Sequence, residues 1–178
     1  MAEVTTEYLV LLGIDGSDHS VYAFEWYMHN FHKPGYKILL VHVPEISTSM
    51  SLNSQAKLQE HMRHCDAKIA SMEAKYMDKM KGRGIEGEFL RINNEKPGPA
   101  IVECALEKEA TYVVIGTRGQ SKVRRTIMGS VSDYIVQHCH VPVLLFRHKS
   151  GWGKMFRGSE KRDRREVDKQ GKSHQNLI

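Results

Sequence analysis

A segment in the C-terminal half combines glycines, hydroxyl groups and cations at a spacing suited to holding a polyphosphate. It runs from Gly116 to Ser130, after an apolar run and before a helical pattern. Backbone N–H groups converge on an anion where no side chain intervenes, and Gly116 and Gly119 remove side chains directly after the apolar run. Gly129 and Ser130 open the helix, whose unpaired N–H groups and positive dipole end favour negative charge. The spacing predicts a phosphate-binding loop.

The charge distribution supports an anion at this loop. Ten of the 26 Lys and Arg residues and four of the 21 Asp and Glu residues lie in 147–178, which leaves 16 basic and 17 acidic residues before them. The first 146 residues are therefore nearly neutral, although the whole chain carries +5. Within that neutral part, a local group of four cations would attract anions. These cations are Arg118, Lys122, Arg124 and Arg125.

Five short apolar runs alternate with helical patterns and must position this loop. The runs are Tyr8–Ile14, Tyr36–Val43, Ile85–Ile92, Thr111–Ile115 and Val141–Phe146. The first, second and fourth consist mostly of Val, Leu and Ile, which is typical of parallel strands covered on both faces. The third carries charged residues and suits an edge. Because strands joined by helices make right-handed crossovers, we predict one doubly wound parallel α/β sheet with helices on both faces.

Helical periodicity and local signals fill the gaps between the runs. Ser17 or Asp18 can cap the first helix, Gly82 stops the second, and Pro99 suits the first turn of the third. The apolar stripe of the second helix is expected to be core or interface. The predicted helices lie at Val21–Phe31, Leu58–Met80, Ala100–Glu107 and Ser130–His138.

The loop spacing, Gly-x2-Gly-x9-Gly-Ser, resembles the nucleotide-binding motif of the universal stress protein superfamily, and the match is complete. The resemblance spans roughly 8–147 and includes Gly13-Ile14-Asp15-Gly16-Ser17, Val41-His42-Val43-Pro44 and Gly129-Ser130-Val131-Ser132-Asp133. It implies a five-stranded sheet in the order 3-2-1-4-5, with ATP and its magnesium across the carboxyl ends of the first and fourth strands. Open α/β sheets usually bind ligands at that topological switch point.

The resemblance also implies roles for individual residues. Asp15 would meet the ribose or adenine side, and Val43 would offer backbone groups to the adenine. A helix-capping carboxylate is the alternative for Asp15, and a plain surface loop is the alternative for the glycines. The remaining nucleotide contacts would come from Gly116, Gly119, Gly129, Ser130, Val131 and Ser132.

These features predict an ATP-binding regulatory protein of the stress response. The motif supplies no evident base or second phosphate clamp, so we expect no enzymatic activity beyond slow ATP hydrolysis. The resemblance implies a homodimer through the last strand, Val141–Arg147, whose apolar residues need cover as an edge. The alternative function is a dimeric scaffold that acts on protein partners without nucleotide.

The cysteines and histidines favour no metal site. Cys65, Cys104 and Cys139 are too few and too irregularly spaced for a zinc module, and each lies in an apolar pattern that predicts a buried free thiol. His61 and His64 share a helix with Cys65 at a spacing that can hold a metal, but no fourth ligand is evident.

The ends of the chain differ from the predicted domain at 8–148. Residues 1–7 form a short arm without a secretory pattern, and no apolar run approaches the roughly 20 residues that cross a bilayer. We therefore expect a cytoplasmic protein, with the nucleus as an alternative. Residues 149–178 are basic and polar, so we expect a disordered, solvated tail. Contact of that tail with nucleic acid or an anionic surface is the alternative.

Overall fold

Strands and helices alternate through the residues that the structure describes. A computed structural model describes residues 8–44, 55–117 and 128–147. The predicted N-terminal arm and C-terminal tail lie outside these residues. The elements in chain order are β1 (Tyr8–Gly13), α1 (Asp18–Asn30), β2 (Tyr36–His42), α2 (Gln55–Lys81), β3 (Gly87–Arg91), α3 (Pro97–Glu107), β4 (Tyr112–Gly116), α4 (Ser130–His138) and β5 (Val143–Phe146).

The strands form one parallel sheet in the order β3-β2-β1-β4-β5, which confirms the predicted topology. β1 lies at its centre, where Leu12 pairs with Leu40 of β2 and with Val114 of β4. β3 and β5 form the edges. The direction of the strand order reverses between β1 and β4. The connection after β1 leads to β2 on one side, and the connection after β4 leads to β5 on the other side. The adjacent carboxyl ends of β1 and β4 are therefore the topological switch point.

Two hydrophobic cores form because successive side chains of a strand point to opposite faces of the sheet. Val10 and Leu12 pack in one core with buried residues of α1 and α2. Leu11, the residue between them, packs in the other core with α3 and α4. Each fully buried aliphatic side chain contributes about 1.5–3 kcal/mol. The central strands are therefore continuous apolar runs, and the helices cover both faces as predicted.

The helix ends follow local chemistry. The Ser17 hydroxyl accepts a hydrogen bond from the Ser20 N–H at 3.2 Å, so Ser17 is the N-cap of α1. α3 begins at Pro97, before the predicted Pro99 and Ala100, because a proline needs no hydrogen-bond partner in the first turn. Both prolines lie in that first turn.

α2 is fixed against α1 near its C-terminal end. The Glu25 carboxylate of α1 pairs with Lys79 and with Arg83, the latter at 3.2 Å. The Phe24 and Tyr76 rings meet edge to face with centroids 4.8 Å apart, a favourable arrangement of their quadrupoles. These contacts set the position of the α2 face that carries Tyr76.

The apolar stripe of α2 is core only in part. Ile69 and Met80 are buried, whereas Leu58 and Met62 are exposed. The prediction that the stripe is core or interface therefore holds as core from Ile69 onward. No helix within the described ranges is long and apolar enough to cross a membrane.

The contact between α3 and α4 depends on Gly98. A Cβ atom there would lie 3.0 Å from three carbon atoms of Tyr134. We expect Gly98→Val to lower the free energy of unfolding by about 1–3 kcal/mol, because overpacking forces the two helices apart. Urea denaturation measures the change. Leu106→Ala, at an exposed position of the same helix, should change stability by less than about 0.5 kcal/mol. Equal stability of both variants would contradict the prediction.

Candidate functional site

A cleft of about 730 Å3 opens at the carboxyl ends of the central strands. Its floor consists of the β1–α1 loop at 13–16, the end of β2 at 42–44 and the end of β4 at 115–116. Val131 and Ser132 from the first turn of α4 close one side. The volume lies within the roughly 300–1,000 Å3 that small-molecule and cofactor sites occupy. The cleft is thus the candidate site, at the predicted switch point.

The β1–α1 loop holds Asp15 at the cleft. The Asp15 carboxylate accepts a hydrogen bond from the Ser17 N–H at 2.9 Å, and Gly16 adopts a positive φ of 77°. That conformation is strained for residues with a side chain but not for glycine. The loop therefore turns tightly and leaves Asp15, which is half-buried, on the cleft wall.

His42 joins the end of β2 to this loop. Its buried side chain places Nδ1 2.8 Å from the Ile14 carbonyl oxygen. Since a carbonyl only accepts, Nδ1 carries the proton and donates. Val43 follows directly, one residue past the last pairing of β2 with β3. The bond thus fixes the backbone that presents Val43 to the cleft.

Gly116 lies at a close approach of two backbones. A Cβ atom at this position would lie 2.8 Å from the carbonyl oxygen of His19, in the first turn of α1. The glycine therefore permits β4 to end against α1, besides leaving the cleft wall free of a side chain. This packing requirement is separate from the phosphate contact that the sequence predicted.

The N-terminus of α4 faces the same end of the cleft. Gly129 is the N-cap, and no side chain among the described residues caps the first turn. The Ser132 hydroxyl is buried and lies 2.9 Å from the carbonyl oxygens of both Thr117 and Gly129. The Gly129 N–H also donates to the Thr117 carbonyl at 2.9 Å. Ser132 thus joins the two chain ends that flank segment 118–127.

The structure brings most of the predicted site residues together. Gly129 and Ser130 precede Val131 at the start of α4 but do not themselves line the cleft. Gly119 and the four loop cations lie outside the described residues. The predicted residues that line the cleft are Asp15, Val43, Gly116, Val131 and Ser132.

One wall of the cleft was not predicted. It comes from a face of α2 that combines cations, hydroxyl groups and apolar side chains. The helical pattern of this stretch was evident in the sequence, but the position of the helix beside the strand ends depends on the crossover from β2 to β3. The α2 residues at the cleft are His61, Cys65, Lys68, Ile69, Ser71, Met72, Lys75 and Tyr76.

The cysteines differ in environment. Cys104 is buried, and burial raises the pKa of its thiol. The expectation of buried thiols is wrong for Cys65 and Cys139, which are half-buried. Cys65 Sγ lies 3.6 Å from His61 Nε2 on the cleft wall, because residues four apart share a helix face. No group of three or more metal-ligating side chains occurs among the described residues.

Comparison with known proteins identifies related sequences. Residues 9–147 match the family model described as the universal stress protein family. The universal stress protein YxiE of Bacillus subtilis is 28% identical over 145 residues, which cover 78% of this chain and 97% of that protein. A Schizosaccharomyces pombe protein is 27% identical over 151 residues. That match covers 85% of this chain but 25% of the longer yeast protein.

Solved structures share the fold. A universal stress protein family protein from Arabidopsis thaliana with AMP bound has a TM-score of 0.59 and 18% identity, covering 80% of this chain and 93% of that one. A universal stress protein in complex with cAMP has a TM-score of 0.55 and 22% identity, covering 79% of this chain and 97% of that one.

The role of Ser132 as a link between the ends of segment 118–127 is testable. Ser132→Ala should lower the free energy of unfolding by about 1–2 kcal/mol, because it removes a buried hydroxyl that serves two main-chain carbonyls. Urea denaturation gives the value. Ser130→Ala, at an exposed position two residues earlier, is the matched control and should change stability by less than about 0.5 kcal/mol. A Ser132→Ala variant with the same free energy of unfolding as the wild type would show that the hydroxyl does not hold these ends together.

Proposed function

This chain belongs to the universal stress protein family, and we propose that it is a regulatory protein whose cleft binds ATP. The order of the strands is the observation that carries the proposal. Val43, Asp15 and Gly116 stand at the ends of β2, β1 and β4, which are adjacent in the sheet. Adjacent strands are about 5 Å apart. An extended nucleotide would therefore place its base at Val43, its sugar at Asp15 and its phosphates at Gly116.

The phosphate end has the physical features that an anion requires. The first turn of α4 begins at Gly129 without a side-chain cap among the described residues, and helix N-termini favour negative charge. Lys68 and Lys75 on the α2 wall add positive charge to the cleft. A few charge-assisted hydrogen bonds of about 1.5–3 kcal/mol each, with burial of the base, are sufficient for micromolar affinity.

The solved relatives indicate which ligand class to test first. One carries AMP and another carries cAMP, and both ligands contain adenine, ribose and phosphate. ATP, supplied with magnesium, is the form that we propose for this chain. The relatives' ligands support the adenine nucleotide class, and the loop motif supports the longer phosphate chain.

Binding rather than turnover is the proposed activity. Asp15 is the single carboxylate among the described residues that line the cleft, and it already accepts a hydrogen bond from Ser17. Phosphoryl transfer to water needs a positioned base or a water-orienting group together with phosphate clamps. We therefore propose that any ATP hydrolysis is slow and that occupancy of the cleft is the signal.

We also propose that two copies associate through β5. β5 is an edge strand, and Leu145 is 37% exposed while Val143 and Leu144 are half-buried. An apolar strand edge without cover is a template for pairing with another chain. The segment proposed for this contact is Val141–Arg147.

The ATP proposal predicts binding that depends on Gly119. We expect purified protein to bind Mg-ATP with micromolar affinity in isothermal titration calorimetry. Gly119→Val should abolish that binding because its side chain would crowd the phosphates, while the thermal unfolding curve stays that of the wild type. ATP should also slow alkylation of Cys65, which lines the cleft, and leave Cys139 unaffected as an internal control. Absence of binding, with no adenine nucleotide released on denaturation, would favour the nucleotide-free scaffold.

The dimer proposal predicts a change in mass on altering the edge strand. Leu145→Glu should convert a wild-type dimer to a monomer in sedimentation velocity at about 10–50 μM, because a charge would be buried at the β5 contact without a partner. Leu106→Glu, at a position 62% exposed on α3, should remain dimeric. A monomeric wild-type protein, or a dimeric Leu145→Glu variant, would contradict this assignment.

A further inference from the structure

Tyr76 carries an unpaired polar group at the wall of the cleft. Its side chain lines the cleft, yet the residue is only 3% exposed. The hydroxyl is buried and has no hydrogen-bond partner among the described residues. Buried hydroxyl groups in folded proteins are nearly always hydrogen-bonded. The structure therefore holds a polar group whose partner must come from outside the described chain.

No described residue forms a hydrogen bond with that hydroxyl, including the neighbouring Ser20. Ser20 lies beside Tyr76 and acts to lower its pKa. However, the Ser20 hydroxyl donates to the Ser17 carbonyl at 3.0 Å and accepts from the Asp15 N–H at 3.4 Å. The edge-on contact with Phe24 fixes the Tyr76 ring, so the hydroxyl is held in this position.

The hydroxyl is in the form that donates. Burial raises the pKa of Tyr76 to about 12, and the negative charges of Asp15 and Glu25 act in the same direction. The proton therefore stays on the oxygen throughout the physiological range. Glu25 is paired with Lys79 at the C-terminal end of α2 and with Arg83 just beyond that helix, whereas Asp15 lines the cleft. The group that can accept a hydrogen bond from Tyr76 therefore lies on the Asp15 side of the cleft.

The position along the cleft identifies the part of the ligand. Asp15 follows the central strand β1, between the β2 end with Val43 and the β4 end with Gly116. In the proposed nucleotide complex this middle position holds the sugar. A sugar hydroxyl can donate to the Asp15 carboxylate and at the same time accept from Tyr76. A phosphate is disfavoured beside the Asp15 carboxylate because both are negative.

We propose that Tyr76 is a specificity residue whose hydroxyl donates a hydrogen bond to a ribose hydroxyl of the nucleotide bound beside Asp15. The inference rests on the proposed nucleotide function and adds a contact from α2, the wall that no sequence motif indicated. A site built to bond a sugar hydroxyl rejects the deoxy analogue, because its buried polar groups then lose their partner. The cleft is thus selective for ribonucleotides.

Tyr76→Phe tests the contact because it removes the hydroxyl alone. Because the hydroxyl is buried without a described partner, its removal should raise Tm by about 2–4 °C in the absence of ligand. The same change should weaken Mg-ATP binding about tenfold in calorimetry. Loss of the hydroxyl from a merely structural tyrosine would not raise Tm and weaken ATP binding at the same time. Tyr36→Phe, at the amino end of β2 and far from the strand ends that form the cleft, is the matched control and should leave affinity unchanged.

Sugar analogues locate the partner. The wild type should bind ATP about tenfold more tightly than the one of 2′-deoxy-ATP and 3′-deoxy-ATP that lacks the bonded hydroxyl, and Tyr76→Phe should reduce that preference to about twofold or less. Equal ATP affinity of Tyr76→Phe and wild type, or a lower Tm of the variant with unchanged sugar preference, would overturn the inference and leave nucleotide binding intact. Failure of the wild type itself to bind ATP would overturn both proposals.

Discussion

The reversal of strand order at β1 and β4 is the constraint on which the rest of the structure depends. The helix after β1 packs on one face of the sheet and the helix after β4 packs on the other. No connection can therefore cover the point where these two strand ends lie side by side, and a crevice remains there. The same geometry brings the β1–α1 loop, the end of β2 and the N-terminus of α4 to one cleft.

Main-chain contacts between the elements hold this cleft open and fix its shape. The His42 imidazole bonds to the Ile14 carbonyl, Ser132 lies between two carbonyls, and Gly116 lets β4 end against α1. These residues position the walls rather than supply charge. Tyr76 is the exception, because its hydroxyl is buried at the wall without a partner among the described residues. A buried polar group without a described partner calls for an explanation, and the one that we propose is a contact with the bound nucleotide.

The sequence predicted the elements that local rules determine and missed what depends on long-range packing. Apolar runs located the strands to within two residues, and the predicted cap at Ser17 or Asp18 located the start of α1. The strand order followed from a family resemblance. The α2 wall was not predicted, since helical periodicity does not reveal which end of the sheet a helix reaches. Cys65 was expected in the core for the same reason, because its stripe continues past the covered part of α2.

A crystal structure of the protein with Mg-ATP tests the central claim most directly. We predict the adenine at the backbone of Val43, the ribose between Asp15 and Tyr76, and the phosphates at Gly116 and the first turn of α4. A nucleotide bound in the reverse orientation, or at another surface while the cleft stays empty, would contradict it.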